Sequence, residues 1–287
     1  MRTLDGKVVV ITGAGSGIGR ALSVLAAQQG ARLALSDVDE VGLAETVGQL
    51  ASARVRSDRL DVRDRAAFAA YALSVVEEFG VVNVVINNAG VAMTGTIAES
   101  SYEDLEWVLD IDFWGVVHGT KEFLPHVIAS GDGHIVNISS LFGLMAVATQ
   151  GAYNSAKFAV RGFTESLRME MIEAGHPVGV TSVHPGGIKT AIARNARAAA
   201  GHDQVGLAQY FDKKLAKTSP EKAARDIIGG ILGNKPRVVI GLDAKALDAL
   251  VRLLGGRYVG LVAAVTKRTV PKPATAPTGT GATGRSS

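Results

Sequence analysis

A buried-strand pattern that runs into a glycine-rich turn and then into a helix is the feature that most constrains this chain. Residues 7–12 (KVVVIT) are followed directly by Gly13-Ala-Gly-Ser-Gly-Ile-Gly19. A continuous run of valine and isoleucine is typical of a strand buried on both faces. Glycine tolerates positive φ, so the backbone of this turn can bend tightly and approach a ligand closely. The pattern favours a βαβ unit whose turn holds an anion at a helix N-terminus.

Short apolar runs continue to alternate with helix-length segments along the chain. Seven strands are predicted, at 7–12, 32–36, 54–60, 83–87, 134–139, 179–183 and 237–240. The longest helical patterns lie at about 102–130 and 152–174, and Ser219-Pro-Glu221 is typical of a helix start. Strands separated by helices require right-handed crossovers and a parallel sheet. The sequence therefore predicts an α/β fold: a single doubly wound Rossmann domain with a seven-stranded parallel sheet and helices on both faces.

The predicted domain organisation is one large domain followed by an extension. A chain of 287 residues is long enough to bury one sizeable core. The large domain is expected over 1–243, with a substrate loop at 188–218, where no strong periodicity is seen. An apolar helical extension is predicted at 244–270. Residues 271–287 are rich in Pro, Thr, Gly and Ala and are predicted to be a disordered tail.

Composition excludes several classes of function. The chain has no cysteine, which rules out disulfides, thiolate metal sites and cysteine nucleophiles. Its six histidines show no metal-ligand spacing, so no metal is expected. The net charge is +3, but residues 1–248 carry 24 basic and 27 acidic groups, a net of −3. A nucleic-acid partner is therefore not expected. No signal peptide or membrane span is predicted, and a cytoplasmic location is the default.

The basic excess belongs to the C-terminal segment, which has three possible roles. Asp248 is the last acidic residue of the chain, and six basic residues follow it. Residues 244–254 are amphipathic and 258–265 are almost wholly apolar, with glycine and arginine between them. The sequence favours a subunit contact or a wall of the substrate pocket. A peripheral membrane contact, helped by Lys267, Arg268 and Lys272, is the second possibility, and an unstructured tail is the third.

Asp37, directly after the second strand and 18 residues beyond Gly19, indicates the kind of dinucleotide. A carboxylate at this place can accept both hydroxyls of the adenosine ribose of NAD and would repel the 2′-phosphate of NADP. The loop contains no lysine or arginine, and none follows Asp37 directly. The sequence therefore favours NAD, with NADP as the less favoured alternative. A helix-capping role for Asp37 stays open, as it does for Asp39.

Tyr153 and Lys157 form a pair at i, i+4 spacing early in a predicted helix. This spacing places the phenol and the ammonium on one helix face. A nearby ammonium stabilises a phenolate and lowers its pKa from about 10 toward the working range. The pair is therefore a proton-transfer device suited to an alcohol and its carbonyl. Ser140 lies at the end of the fifth predicted strand, where ligands gather in such sheets.

Together these motifs resemble the short-chain dehydrogenase/reductase family. The resemblance rests on Thr12-Gly-x-x-x-Gly-x-Gly19, Asn87-Asn-Ala-Gly90, Ser140, Tyr153-x-x-x-Lys157 and Pro185-Gly186, in order and spacing over about residues 5–242. It implies that Tyr153 is the general acid/base, that Lys157 binds the nicotinamide ribose, and that Ser140 hydrogen-bonds the substrate oxygen.

The resemblance also implies a cofactor-binding set. The loop residues would line the pyrophosphate and adenosine side: Gly13, Ser16, Gly17, Ile18 and Gly19. Asp61 and Val62 would meet the adenine. Asn88, Ala89 and Gly90 would support the ribose and the central strand. The nicotinamide end would be held by Pro185, Gly186, Ile188 and Thr190, together with Tyr153 and Lys157. A homodimer or homotetramer is implied as well, through the helices predicted at 102–130 and 152–174.

Asp112 departs from the family pattern, which usually has asparagine at this position. The resemblance implies that the main-chain carbonyl of this residue holds a water that relays protons through Lys157. Aspartate is nearly isosteric with asparagine, so the sequence favours a tolerated substitution. Alternatively, an ionised Asp112 pairs with Lys157 and weakens its effect on Tyr153.

The expected function is that of an NAD-dependent oxidoreductase acting on a hydrophobic secondary alcohol or ketone, with Tyr153 as general acid/base. Two alternatives remain. One is an NADPH-dependent carbonyl reductase. The other is a nucleotide-binding regulator or scaffold whose catalysis is impaired because Asp112 replaces asparagine.

Overall fold

A computed structural model describes residues 1–50, 53–199 and 202–269, with side chains described up to residue 266. Its centre is a parallel sheet of seven strands in the order β3-β2-β1-β4-β6-β7-β9. These strands are β1 Val8–Thr12, β2 Arg32–Asp37, β3 Val55–Arg59, β4 Val84–Asn87, β6 Gly133–Ile138, β7 Val178–Pro185 and β9 Arg237–Ile240. A separate parallel pair joins β5 Met93–Thr94 to β8 Arg197–Ala198. The predicted fold class and the seven predicted strands are confirmed.

Helices connect the strands and cover both faces of the sheet. They are α1 Gly17–Gln28, α2 Glu40–Val47, α3 Arg65–Phe79, α4 Tyr102–Leu109, α5 Gly115–Ala129, α6 Gly151–Glu173, α7 Gln204–Tyr210, α8 Pro220–Leu232, α9 Leu242–Leu254 and α10 Tyr258–Thr269. The helix start predicted at Ser219 is present, since its hydroxyl accepts a hydrogen bond from the Lys222 N–H and Pro220 is the first helical residue.

Two apolar clusters, one on each face of the sheet, form the core. On one face α1 and α8 pack on the sheet through residues such as Leu22 and Ile227. On the other, α3, α5 and α6 contribute Phe68, Phe123 and Leu167. All five residues of β1 are buried. Central strands buried on both faces need continuous apolar sequences, which is why the strand prediction was reliable here.

The helix predicted at 102–130 differs from the expectation, because a π-helical turn at Asp110–Trp114 separates α4 from α5. A π turn inserts one extra residue, and such turns are frequent at functional sites. Hydrophobic periodicity cannot reveal a single inserted residue, so one continuous helix was predicted.

The segment expected to form a substrate loop, 188–218, contains more regular structure than was predicted. It holds β8, α7 and a π-helical turn at Phe211–Leu215, while residues 200 and 201 lie outside the described part. The predicted tail at 271–287 also lies outside the described residues.

Helices α9 and α10 occupy the predicted apolar extension and are joined by a short 3-10 turn at Gly255–Arg257. By length and composition alone, residues 242–266 could cross a membrane, since an 18-residue stretch within them has a mean hydropathy of 1.4 and none of that stretch is buried. The absence of a membrane span, which the sequence predicts because glycine and arginine interrupt this stretch, stays a prediction. However, Leu247, Val251, Tyr258 and Val262 pack against the main domain.

Candidate active site

The carboxyl ends of the central strands bring the predicted site residues to one edge of the sheet. From β1 the chain adds β2 and β3 on one side of the sheet and then β4, β6, β7 and β9 on the other side. The strand order therefore reverses beside β1. Crevices at such switch points are where doubly wound sheets bind ligands. The glycine loop follows β1, Asn88 follows β4, and Ser139 and Ser140 follow β6.

The glycine loop has the geometry of a dinucleotide cradle. Gly13 and Gly17 have φ of 65° and 51°. A Cβ on Gly13 would lie 2.8 Å from the Ala89 Cα, so no larger residue fits there. The N-cap residue Ser16 makes no side-chain capping bond, and the first turn of α1 contains no acid. This helix N-terminus is therefore suited to a pyrophosphate.

Asn88 and Thr12 tie the end of β4 to the loop. The Thr12 hydroxyl accepts hydrogen bonds from the N–H groups of Asn88 and Ala89, at 3.0 and 3.1 Å. The Asn88 amide donates to the carbonyls of Thr12 and Gly13, each at 3.0 Å. The side chain of Asn88 is thus used in holding the loop, which agrees with the supporting role that the resemblance implies.

Asp37 lies at the loop as predicted, but its carboxylate already has partners. Oδ2 accepts the Gly15 N–H at 2.7 Å, and Oδ1 accepts the Asp39 N–H at 3.0 Å. The helix-capping role belongs to Asp39, whose side chain accepts the Gly42 N–H. A carboxylate has about four acceptor positions, so Asp37 can still accept hydroxyl groups.

Arg20 is a residue of this region that the sequence reasoning missed. Its guanidinium donates to the carbonyls of Gly15 and Gly42 and pairs with Glu45 at 2.8 Å. The Arg20 guanidinium, which contacts the loop at Gly15, is thus already paired within the protein. Its position three residues after Gly17 on α1 was the signal that could have found it.

Asp61 and Val62 follow β3 but differ in environment. The Asp61 carboxylate is held by Arg63, with Nη2 at 2.6 Å, and these hydrogen bonds lower the pKa of Asp61. Val62 is buried, and its carbonyl lies 2.9 Å from the His118 Nδ1. Val62 is thus a fixed apolar wall, whereas Asp61 is engaged with a neighbouring arginine.

Residues after β7 form the opposite side of the crevice. The Gly186 N–H donates to the Ile240 carbonyl at 2.9 Å, and Ile188 is buried. A Cβ on Gly17 would lie 3.0 Å from the Thr190 methyl group, so Thr190 faces the glycine loop. Pro185 is the last residue of β7. The four residues predicted for the nicotinamide end therefore lie on one continuous segment at the crevice.

Ser140, Tyr153 and Lys157 are brought together where β6 ends against α6. The Ser140 side chain acts on the Tyr153 phenol and lowers its pKa, and the Ser140 hydroxyl accepts the Phe142 N–H at 3.1 Å. The Lys157 ammonium lies 5.5 Å from the centre of the Tyr153 ring. Ser139 instead donates to the Lys157 carbonyl at 2.8 Å, so it serves to fix α6.

Asp112 contacts Lys157 directly. Asp112 is fully buried in the π turn, and its Oδ2 lies 3.1 Å from the Lys157 ammonium. Oδ1 accepts the Val91 N–H at 2.7 Å. Oδ2 has no hydrogen-bond partner in the described part of the chain, so the ammonium is its only counterpart there. A Cβ on Gly90 would lie 3.4 Å from both charged groups, so Gly90 leaves room for the pair.

Burial and the ion pair set the protonation of this cluster. Burial raises the pKa of Tyr153, and Asp112 acts in the same direction, while Lys157 and Ser140 oppose them. Burial alone would lower the pKa of Lys157, but the Asp112 carboxylate reverses this and raises it. The phenol is therefore protonated and the ammonium charged at neutral pH in the absence of ligands.

His184 is a second residue that the sequence analysis left unassigned. It is buried, its Nδ1 lies 2.9 Å from the Ser140 carbonyl, and its Nε2 lies 2.9 Å from the Ser182 hydroxyl. Since a carbonyl can only accept, Nδ1 carries the proton. Burial lowers the pKa of His184 to about 4, so this ring is neutral and anchors the backbone of Ser140. Its position beside Pro185 was the signal in the sequence.

The wall beside Tyr153 is apolar. The Phe142 ring meets the Tyr153 ring edge to face, with centroids 6.2 Å apart. Leu141 and Met145 are buried against α9 and α10. The Tyr258 hydroxyl accepts the Ala146 N–H at 3.0 Å, so α10 holds this segment in place. No group of His, Asp or Glu with metal-binding geometry occurs among the residues that the structure describes.

Comparisons with known proteins agree with this geometry. The family described as short chain dehydrogenase matches residues 7–201. SadH of Mycobacterium tuberculosis, an oxidoreductase by provisional assignment, is 61% identical over 266 residues, which cover 92% of this chain and 96% of that protein. Dehydrogenase/reductase SDR family member 7B of Xenopus tropicalis is 32% identical over 260 residues, 88% of this chain and 82% of that protein.

A solved structure gives the same result for the fold. The crystal structure of a short chain dehydrogenase/reductase from Burkholderia phymatum, in complex with NAD, superposes with a TM-score of 0.83. The two chains are 32% identical, and the match covers 96% of this chain and 100% of that one.

Proposed function

The chain belongs to the short-chain dehydrogenase/reductase family and is an oxidoreductase of that family, and from this premise we propose that it transfers hydride between NAD(H) and a hydrophobic secondary alcohol or its ketone. The observation that carries this proposal is the Lys157 ammonium 5.5 Å from the centre of the Tyr153 ring, at the crevice that the glycine loop lines. Ser140 follows the neighbouring strand β6 and lowers the pKa of the same phenol. This arrangement places a proton-transfer group beside the crevice in which a dinucleotide would bind.

The residues of the crevice fit a dinucleotide. Gly13 and Gly17 allow the backbone to approach a pyrophosphate, and the uncapped N-terminus of α1 favours its charge. Thr190 faces Gly17 across the crevice, and Asn88 keeps the loop in shape. The bound dinucleotide would supply the chemistry of hydride acceptance and donation, which protein side chains lack.

NAD is proposed over NADP because of charge at the adenosine end. Asp37 places a carboxylate at the loop, where it would repel a 2′-phosphate. Arg20, a cation that contacts the loop, is paired with Glu45 and with two carbonyl groups. The Burkholderia phymatum relative contains NAD in its structure, which agrees with this choice.

The chain's own residues would handle the proton and the oxygen of the substrate. In the oxidation direction, the Tyr153 phenolate accepts the hydroxyl proton while the C–H bond breaks and its electron pair leaves as hydride. Lys157 stabilises the phenolate, and Ser140 donates a hydrogen bond to the substrate oxygen, which gains negative character. In the reduction direction, Tyr153 returns the proton. The apolar wall formed by Leu141, Phe142 and Met145 favours an apolar substrate.

A second candidate function rests on the Asp112–Lys157 ion pair. An ionised Asp112 offsets the charge of Lys157 and opposes ionisation of Tyr153. This observation favours a protein that binds the nucleotide and has little activity at neutral pH, as a regulator or scaffold would.

One experiment separates these candidates. NADH and NADPH are titrated against the full chain by fluorescence, and the protein is then assayed with NAD⁺ and a series of secondary alcohols of increasing chain length. We expect tighter binding of NADH and turnover that rises with chain length. Preference for NADPH would contradict the role of Asp37. Binding of NADH without turnover at any pH would favour the second candidate.

A homodimer or homotetramer, and a cytoplasmic location, remain proposals. Large apolar side chains are exposed on the long helices, among them Trp114 beside α5 and Phe158, Met169 and Ile172 on α6. Pairing of these helices between copies would bury them. Light scattering of the purified protein measures the number of copies directly.

A further inference from the structure

Helix α9 has two apolar faces, and one of them is exposed. Ala244, Leu247 and Val251 pack toward the domain. On the opposite side, a stripe at spacings of four, three and four residues consists of Leu242, Ala246, Ala249 and Leu253. Residues so spaced share one face of an α-helix. The side chains of Leu242 and Leu253 are 86% and 84% exposed, so this outer stripe is open to whatever lies beyond it.

Helix α10 continues the exposed apolar surface. Val259 and Leu261 are 58% and 46% exposed, and Gly260, Ala263 and Ala264 are exposed between them. We call the exposed surface of 242–264 on both helices the outer face. A surface this rich in apolar side chains is typical of an interaction site.

The charges on the outer face all have one sign. The exposed charged residues between 242 and 266 are Lys245, Arg252 and Arg257. The acidic residues of this segment, Asp243 and Asp248, are not exposed, and Asp248 pairs with Arg252 at 3.0 Å. The sequence beyond Asp248 adds basic residues and no acidic one. The partner of this face therefore has an apolar layer and negative charge.

The side of α9 and α10 that packs on the domain indicates how these helices would be oriented toward such a partner. Tyr258 and Val262 contact the same cluster as Leu141 and Met145, so α10, like α9, meets the domain through one side. These contacts on one side favour a position along a surface over a span, although the hydropathy of residues 242–266 would allow a span. An amphipathic helix with apolar and cationic residues on its free side binds in the plane of a membrane interface.

We propose that the outer face docks this protein peripherally on a membrane surface that contains anionic lipids. A second copy of the chain fits less well, because a contact between two outer faces would place Lys245, Arg252 and Arg257 of both copies in one interface, where no exposed acid of residues 242–266 could pair with them. Since α10 holds the segment that follows Ser140, docking would bring the apolar wall of the candidate site close to the lipid. The proposal concerns binding alone and does not depend on the proposed reaction.

Vesicle flotation of the full chain tests the proposal. Vesicles of phosphatidylcholine are compared with vesicles that also contain phosphatidylglycerol, at physiological ionic strength. We expect flotation only with the anionic vesicles, and its loss at about 1 M salt, where the screening length falls to about 3 Å. Replacing Lys245, Arg252 and Arg257 by Gln should weaken partitioning about 100-fold, and Leu253→Gln with Leu261→Gln by a similar factor.

A matched variant controls for net charge. Arg2, Arg65 and Lys235 are exposed elsewhere, and their replacement by Gln removes the same three charges; flotation of this variant should equal that of the wild type. NADH binding reports that each variant is folded. The proposal is overturned if the wild type does not float with anionic vesicles, or if both triple variants behave alike. It is also overturned if the leucine variants dissociate an oligomer while flotation is unchanged, since the outer face would then be a subunit contact.

Discussion

The Lys157 ammonium lies 3.1 Å from the Asp112 carboxylate in a position closed to solvent, and it also donates to the Ile138 carbonyl at 3.2 Å. The same ammonium is the cation nearest to Tyr153 in this cluster. One positive charge is therefore shared between the Asp112 carboxyl and a phenol that ionises during the proposed reaction. Burial raises the pKa of Asp112, and the Lys157 charge opposes this effect. This sharing connects the departure at Asp112 to measurable properties of the enzyme.

Asp112→Asn should move the pH dependence of alcohol oxidation. Removing the carboxylate takes away a negative charge that raises the pKa of Tyr153. The phenolate then forms at lower pH, so the rising limb of kcat/KM should move to lower pH. Asp110→Asn, an exposed change in the same π turn, is the control and should leave the limb in place. An unchanged profile for Asp112→Asn would show that the pair has no influence on Tyr153.

Lys157→Met should destabilise the fold as well as reduce activity. It leaves the Asp112 carboxylate buried with only the Val91 N–H as partner, and loss of one member of a buried pair costs about 3–5 kcal/mol. In an Asp112→Asn background the same change should cost less, because no charge is left unpaired. Urea unfolding of the two single variants and the double variant gives the coupling energy, expected at about 1–3 kcal/mol. Additive effects would contradict a stabilising pair.

The sequence predicted the sheet well and the site in part, and the reasons are physical. Strands such as β1 are buried on both faces and must be continuously apolar, so their positions can be read directly from the sequence. The i, i+4 spacing likewise places Tyr153 and Lys157 on one face of α6 wherever the helix begins. These features depend on local pattern alone.

Features that depend on distant contacts were not predictable. The ion pair joins residues 45 positions apart, and the π turn that carries Asp112 has no periodic signature. His184 reaches Ser140 across two neighbouring strands, and its role depends on their register. Arg20 is engaged by Glu45 on another helix. In each case the partner is set by tertiary packing.

Tyr153→Phe should separate chemistry from binding. The change removes only the hydroxyl that transfers the proton, and general acid–base groups contribute about 10²–10⁴-fold to rate. We expect kcat to fall by that factor while the Kd for NADH changes less than about twofold, a small free energy. Tyr102→Phe, at an 84% exposed position on α4, is the control and should retain full activity. Activity retained in Tyr153→Phe would remove Tyr153 from the mechanism.

Asp37→Ser should relax the choice of dinucleotide. Serine removes the charge that repels a 2′-phosphate while keeping a small hydrogen-bonding side chain. The Kd for NADPH should fall and that for NADH should rise, each about tenfold for a change of about 1.4 kcal/mol. Asp39→Ser is the matched control: it alters the cap of α2 and should leave the preference as it is. Parallel changes in both Kd values for Asp37→Ser would indicate a structural role for the carboxylate.

His184 should make the fold sensitive to mild acid. Its folded-state pKa of about 4 lies below the usual 6.5 because the ring is buried. Between these values the unfolded chain binds a proton that the folded chain does not, so stability present above pH 6.5 is lost as pH falls, by about 1.4 kcal/mol per pH unit. In His184→Asn the amide can still donate to the Ser140 carbonyl but cannot titrate. Urea unfolding from pH 7 to about 4 should therefore show a slope smaller by one proton in this variant. His176→Asn, an exposed change, should keep the slope of the wild type; equal slopes in all three proteins would mean that His184 is protonated in the folded state.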